Sequence, residues 1–544
     1  MNVDERLVEL GLDPEPTEAP DVRIGLSARA RSWAWFHRRS IAIVTPLLVL
    51  AVVVQHSNLS RWPAPFDDEG TYVAQGWAVQ VHHQLAHYTY WYDHPPLGWI
   101  QLALWNWPQA VLGRSTHAIT DGRNAMVIAS VVSAALVYVL ARRLGLGRPA
   151  AAGALVIFTL CPLALAQHRM VLLDNIAVPW LLAALVLAAS PRRSLWAAGA
   201  AGVCAGVAVL SKETFLLLTP VVAWQLWRHA DRKTRSFCLT AFGVALGMLV
   251  LAYPLYALLK GELIPGAGHV SLVDAIRFQL FDRNSSGSVL DHASGSRATV
   301  ETWLALDPWL LFGGLVVGGC AFFSKSMRSM RPLALALVIL VLAMLRGGYL
   351  PGPFVIGALP FAALLVAGLG DAMARTFSSR STSPQLRFGA GLTTVALLLS
   401  LVVVGPNWLH HDRRLLGTND AQPTWDAEGW VAQNVPRTER IIVDDTMWLD
   451  LVRQGFDEHT GVVWFFKLDS TNNLDPSVAQ QLPNGWREFN FIVSTPYLRR
   501  SLVEMPGGLQ PVRDALKSSR VVATFGAGDN TVEVRAIDPQ GPQP

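Results

Sequence analysis

Long apolar runs separated by short basic connections organise the first three quarters of the chain. They fall at about 41–57, 122–141, 149–167, 175–190, 195–210, 214–228, 237–259, 303–323, 332–346, 352–373 and 388–405. Several approach the ~20 residues a helix needs to cross a bilayer. The pattern predicts a polytopic α-helical membrane protein with about eleven transmembrane helices. With the N-terminus inside, the inner connections read "ARRLGLGRP", "SPRRS", "WRHADRKTRS", "SKSMRSMR" and "ARTFSSRSTSPQLR". Each carries two to four Lys or Arg. Short outer connections such as "AQHRMVLLDN" and "LSKET" carry one or two. Basic residues favour the cytoplasmic side, so this alternation fixes the expected orientation. An odd number of spans places the C-terminal part outside.

Two outer loops are long. The first, about 58–121, contains "WIQLALWNWPQAVLG" (99–113), which is apolar, short and interrupted by Pro108. Its tryptophans, Trp99, Trp105 and Trp107, suit the headgroup layer, so an interfacial helix is expected. The second, 260–302, is rich in Ser and Gly around "DRNSSGSVLDHASGSRA" and is expected to move. After Pro406 the pattern changes. "RIIVDD", "WREFNFIVST" and "SSRVVATFG" read as strands, "TMWLDLVRQGF" as a helix, and "NTVEVRAID" as an edge strand. The expected domains are a cytoplasmic tail, 1–40, a membrane domain, 41–405, and an extracytoplasmic α/β domain, 406–544, ending in a disordered "DPQGPQP".

Composition agrees. The 544 residues are 51% hydrophobic and 15% charged, against about 25% charged in soluble domains. The net charge of +4 gives no reason to expect a nucleic-acid partner. The early acids are unlike a secretory signal, so the first helix is expected to be retained. Cys161, Cys204, Cys238 and Cys320 are scattered among the apolar runs and imply packing, not disulfides.

Against this background the stretch "PFDDEGTYVAQGW" stands out, with Asp67, Asp68 and Glu69 about ten residues past the first span. A charge at mid-bilayer costs about 2.5–3.5 kcal/mol, and a carboxylate beside lipid calls for a partner. Other outer loops supply candidates. "WYDHPPLGW" offers Asp93 and His94, held by two prolines. "QHRMVLLDN" offers His168, Arg169 and Asp174; "LSKET" offers Lys212 and Glu213; "MLRGGYLPG" offers Arg346 and Tyr349. Carboxylates mixed with Lys and Arg suit an anionic ligand beside a group that must lose a proton. His82, His83 and His87 with Asp93 and His94 make a second kind of cluster, but its spacing matches no zinc motif.

These residues resemble the GT-C glycosyltransferases that use polyprenyl-phosphate sugars, in the protein O-mannosyltransferase and aminoarabinose-transferase-like branch. The resemblance covers about 40–405. It rests on Asp68-Glu69 in "DDEGTYVAQ", "DHPPLGW", Arg123 in "DGRNAMV", Asp174 in "RMVLLDN", Ser211-Lys212, and "RGGYLPGPFVIGALP". It implies a GT-C-like fold and transfer of a sugar, mannose or pentose-like, with inversion from a polyprenyl-phosphate donor to a hydroxyl on the outer face. The acceptor is a protein, a lipid or a polysaccharide. Asp68 is the expected base, with Glu69 orienting or substituting. Asp67 turns the family's acidic pair into a triplet and leaves the alignment open by one residue. Lys212 and Arg346 are expected at the phosphate, Asp174 at the acceptor or a basic residue, and His94 at the phosphate or the acceptor. Arg123, His168, Arg169, Asp93 and Tyr349 complete the expected binding set. A divalent cation, magnesium or manganese, shared by Asp68, Glu69 and the phosphate is one arrangement these residues admit. The Ala, Val, Leu and Arg-rich composition suggests a bacterial plasma membrane. The rival reading is a secondary transporter of an anionic or sugar-containing solute. It expects midplane charges and an internal repeat, and neither is visible in the sequence.

Overall fold

The computed structural model describes residues 26–112, 115–266, 268–283, 285–379, 383–469 and 476–538. Most of the expected tail and the "PQGPQP" end lie outside them. Contacts divide the chain into Met1–Pro46 and a second compact unit, Leu47–Pro544.

All eleven apolar stretches are helical. Among the described residues, six segments are long and apolar enough to cross a bilayer: His37–His56, Ala118–Arg143, Arg235–Leu259, Arg328–Leu345, Gly352–Ser378 and Pro384–Asn434. The pair Gly295–Leu306 and Trp309–Phe323 adds a seventh if its 98° bend belongs to one span. Arg148–Leu160, Leu173–Ala188 and Leu195–Ser211 are apolar but shorter. At 1.5 Å per residue they fall short of the ~30 Å hydrocarbon core when counted alone. The chain is a multi-pass membrane protein. Its last apolar helix, Pro384–Gly417, runs through Pro406, so the change of composition there does not end the element.

The first long loop is more ordered than its polarity suggests. It contains two helices, Asp67–Val81 and Leu97–Leu112, and the second continues through Pro108. Trp99 is fully buried against Tyr72, with ring planes 8° apart and centroids 6.5 Å apart. It is therefore a core residue, whereas Trp107 is exposed. The 260–302 loop also carries structure. It holds the helix Leu272–Arg277, and Ser286 donates its N–H to the Gly348 carbonyl at 3.0 Å.

The C-terminal segment forms a five-stranded sheet: β1 Ile441–Val443, β2 Val462–Trp464, β3 Phe491–Ser494, β4 Ser519–Phe525 and β5 Val532–Ile537. The order is β2-β1-β3-β5-β4. β1 is parallel to β2 and β3, and β5 is antiparallel to β3 and β4. The expected edge strand, β5, is thus internal, and β4 takes the edge. Side chains alternate between faces along a strand. Ile441, Val443, Val462 and Val493 share a core with Tyr72, Val73 and Trp99 of the first loop. Ile442, Val463 and Ile492 pack on Phe465, Leu498 and Val512. Both faces of β1 are covered, which is why it reads as an unbroken apolar run.

Candidate active site

Asp67, Asp68 and Glu69 occupy the first turn of the helix Asp67–Val81. Negative charge is favoured there by the helix dipole. Successive residues point about 100° apart around a helix, so three adjacent carboxylates cannot share one environment.

Glu69 points into the protein and is fully buried. Its Oε1 accepts from Arg123 Nε at 2.8 Å and from the Val171 N–H at 2.9 Å. Its Oε2 accepts from Arg123 Nη2 at 2.7 Å and from the Phe66 N–H at 3.0 Å. A carboxylate offers about four lone-pair sites, and all are used. Arg123 also donates to the Leu59 and Pro63 carbonyls. Arg123 therefore anchors the acidic turn and does not reach a ligand. A cation shared by Asp68 and Glu69 does not fit, because Glu69 has no lone pair left for it.

Asp67 points toward the sheet. It is buried, and its Oδ1 accepts the Asp445 N–H at 3.3 Å. Burial, then the carboxylates of Asp444, Asp445 and Asp68, push its carboxyl well above the usual range. The neighbouring Asp445 takes the Thr71 hydroxyl at 2.7 Å and lies 3.3 Å from His87 Nε2. Gly70 is the reason the two elements meet so closely. A Cβ there would lie 2.2 Å from the Asp445 carbonyl carbon.

Asp68 alone of the three is left half-buried with no hydrogen bond or ion pair among the described residues. Burial raises its pKa above the ordinary carboxylate value. Lys212, His94 and Arg283 oppose that shift and Asp93 adds to it, so these four charged groups face it.

The basic side of the site is a chain of contacts. Lys212 Nζ lies 2.9 Å from His94 Nε2, and His94 Nδ1 lies 3.0 Å from Glu213 Oε2. The Asp93 carboxylate accepts the His94 N–H at 2.7 Å, and the Tyr90 hydroxyl donates to the His94 carbonyl at 2.6 Å. Burial pulls the Lys212 ammonium down, but Glu213, Asp174, Asp68 and Asp93 outweigh it and the net shift is upward. Burial works against the charge on Glu213 too, yet His94 and Lys212 bring its pKa down to about 2. Asp174 sits buried in the first turn of the helix Leu173–Ala188, where it acts on Lys212.

The expected set thus separates. Asp68, Asp93, His94, Asp174 and Lys212 converge. Tyr349 joins them through Arg283, whose guanidinium lies 3.6 Å from the centre of its ring. Arg346 is exposed at the end of the helix Arg331–Leu345. His168 and Arg169 do not converge. His168 packs on Phe158 with ring centroids 4.7 Å apart. Arg169 donates to the Val54 and Ser57 carbonyls, both at 2.6 Å, and so caps the first long helix. The histidine cluster disperses as well: His82 goes to Glu458 and His87 to Asp445.

Arg283 was not among the expected site residues. It stands in a Ser/Gly-rich loop with no motif around it. Tyr497, from the helix Pro496–Glu504 beyond β3, was missed too. Its ring meets Phe66 edge-on at 5.8 Å. Burial, then Asp67 and Asp68, push its hydroxyl pKa up.

Residues 93–256 match the family described as dolichyl-phosphate-mannose-protein mannosyltransferase. No curated protein matches the chain by sequence. Among solved structures, the chain is similar to ArnT from Cupriavidus metallidurans in the apo state, with a TM-score of 0.56 and 16% identity. The match covers 92% of this chain and 99% of that one. The same protein bound to undecaprenyl phosphate matches with a TM-score of 0.55 and 15% identity, over 92% of this chain and 100% of that one. The apo oligosaccharyltransferase of Archaeoglobus fulgidus matches at 0.51 and 12% identity, over 91% and 75%. The chain therefore has the GT-C glycosyltransferase fold.

Proposed function

We propose that this chain is an inverting glycosyltransferase. It moves a sugar, mannose or pentose-like, from a polyprenyl-phosphate donor to a hydroxyl acceptor on the outer face of a bacterial plasma membrane. The observation that carries the reading is Asp68: one half-buried carboxylate with no hydrogen-bond partner among the described residues, facing Lys212, His94 and Arg283. The fold and the matched family support the same class, and the undecaprenyl phosphate held by the similar ArnT supports the donor class.

The acceptor hydroxyl attacks the anomeric carbon from the face opposite the phosphate. The new glycosidic C–O bond forms as the sugar–phosphate C–O bond breaks. The hydroxyl proton passes to Asp68, and polyprenyl phosphate leaves with the bonding electrons. Lys212, with Arg283, stabilises the negative charge that grows on the phosphate. His94 holds Lys212 in place from one side and is itself fixed by Glu213 and by the Asp93 carboxylate. Glu69 positions Asp68 and does not substitute for it, because its lone pairs are already taken. Glu213, then Asp174 and Asp93, keep Lys212 charged. The sheet segment closes over the acidic turn and borders the acceptor side with Tyr497.

The test is turnover of radiolabelled polyprenyl-phosphate sugars by purified protein supplied with membrane extract as acceptor. One donor should be consumed by the wild type and bound without turnover by Asp68→Asn. If no donor in a broad panel binds, the transferase reading fails and solute transport is next to be measured.

A further inference from the structure

A second cluster joins the sheet segment to a membrane helix at a place unrelated to the Asp68 site. His117 immediately precedes the helix Ala118–Arg143. Glu428 lies in the helix Gln422–Asn434 and Asp450 in the helix Asp445–Arg453. His117 Nδ1 is 3.4 Å from Glu428 Oε1 and 3.8 Å from Asp450 Oδ2. One ligating atom from each residue lies within 4.8 Å of the other two. Among the described residues no other group of His, Cys, Asp or Glu meets that condition. Atoms bound tetrahedrally to zinc at about 2.1 Å stand about 3.4 Å apart, so the cluster is already near ligand spacing.

Two features distinguish it from an ordinary ion pair. Glu428 is 2% exposed, yet among the described residues its buried Oε2 has no hydrogen-bond partner, and His117 Nδ1 reaches the two carboxylates only at ion-pair distances of 3.4 and 3.8 Å, without a hydrogen bond. Buried polar atoms are normally satisfied, so unsatisfied lone pairs in one cluster call for a ligand. The side chains are also held in orientation. The His117 ring stacks on Trp425 at 4.0 Å with planes 15° apart. The Ala118 N–H bisects the Asp450 carboxylate, 3.0 Å from each oxygen. Ligating groups are usually fixed by a surrounding shell of this kind. Arg453 lies 3.5 Å from Asp450 and 3.7 Å from Asp121, so the cations facing the cluster are fewer than its acids.

We propose that His117, Glu428 and Asp450 bind one divalent first-row cation, zinc by the donor set, which fastens the sheet segment to the start of the helix Ala118–Arg143. An imidazole with two carboxylates matches zinc better than magnesium or calcium, which favour all-oxygen sites. The three protein ligands leave a fourth position for water. The role is structural and does not depend on the transferase reading.

The test is metal content by mass spectrometry of protein purified without chelator or histidine tag, together with its melting temperature. The wild type should hold about one zinc per chain. Chelation should lower the melting temperature by several degrees, and added Zn²⁺ should restore it. In Glu428→Gln the metal and the response to chelator should both disappear. The proposal is overturned if wild type holds no more metal than the variant and neither Zn²⁺ nor Mn²⁺ shifts the melting of chelator-treated protein. The cluster is then a protonated histidine between two carboxylates. If Glu428→Gln does not fold, the chelation and restoration series on wild type gives the same decision.

Discussion

Arg123 grips Glu69 through two parallel hydrogen bonds, Nε to Oε1 at 2.8 Å and Nη2 to Oε2 at 2.7 Å, with both side chains fully buried. Removing one partner strands a charge away from water. Glu69→Ala should therefore cost about 3–5 kcal/mol of stability, seen as a lower melting temperature in detergent. Arg123→Lys should also destabilise, because an ammonium cannot reproduce the bidentate fork. If Glu69→Ala melts like wild type, the anchoring role is wrong.

Asp68 must be ionised to take a proton, and burial raises its pKa despite Lys212, His94 and Arg283. Activity should be lost as pH falls through a midpoint higher than the ~3.9 of an ordinary aspartate. Asp68→Asn should lower kcat about 10²–10⁴-fold and leave donor binding in place. A pH–rate profile with no acid limb above the ordinary value would exclude Asp68 as the base.

Asp67 and Asp444 predict the opposite trend for stability. Burial and neighbouring carboxylates raise Asp67, and burial carries Asp444 to about 7 against the Thr495 hydrogen bond. Acids raised on folding stabilise in full below the unfolded value and lose that contribution as pH rises through the folded one. The window runs from about 4 up to the folded values, about 7 for Asp444 and well above the usual range for Asp67. Melting temperature should fall as pH rises from about 4 to about 7 and, through Asp67, beyond it. Asp67→Asn keeps an acceptor for the Asp445 N–H and should flatten that fall. Equal slopes for the two proteins would show that Asp67 is not the titrating group.

Gly70 lets the acidic helix lie against the Asp445 backbone. Its helical φ is ordinary, so the requirement is one of space. Gly70→Ala should cost at least the ~1–3 kcal/mol typical of overpacking, and protease should then cut the sheet segment faster. Unchanged proteolysis would mean that the contact relaxes without loss.

Arg283→Ala removes one cation from the phosphate side. A charge-assisted hydrogen bond of about 1.5–3 kcal/mol corresponds to roughly ten- to a hundredfold, expected in KM for the donor. An effect on acceptor KM alone would move Arg283 to the other substrate.

The helical stretches were legible because lipid-facing segments must be uniformly apolar, β1 and β3 because covered strands are nearly so, and β5 because its apolar and polar residues alternate. The helix Asp67–Val81 was not. All of its first five residues are polar or glycine, and its stability comes from Arg123, Val171 and the sheet, all distant in sequence. Asp68, His94, Asp174 and Lys212 were found because their charges stand beside apolar runs. Arg123 and Arg169 carry the same signal for a different reason: both bind backbone carbonyls at or just past the end of the first long helix, which sequence cannot distinguish from binding a ligand. Arg283 and Tyr497 come from segments with no local pattern, brought in by the 346–351 turn and the sheet.

Asp67 and Gly70 meet the sheet segment at Asp445, while Asp68 and Glu69 turn to the earlier part of the chain, Asp68 to Lys212, His94 and Arg283 and Glu69 to Arg123 and Val171. Four consecutive letters therefore answer to two different neighbours. Lineages that exchanged the C-terminal segment for another would be free to rewrite positions 67 and 70 together and would have to leave 68 and 69 alone. Covariation of the outer pair with residues around Asp445, alongside an unvarying inner pair, is the trace this architecture should leave in its descendants.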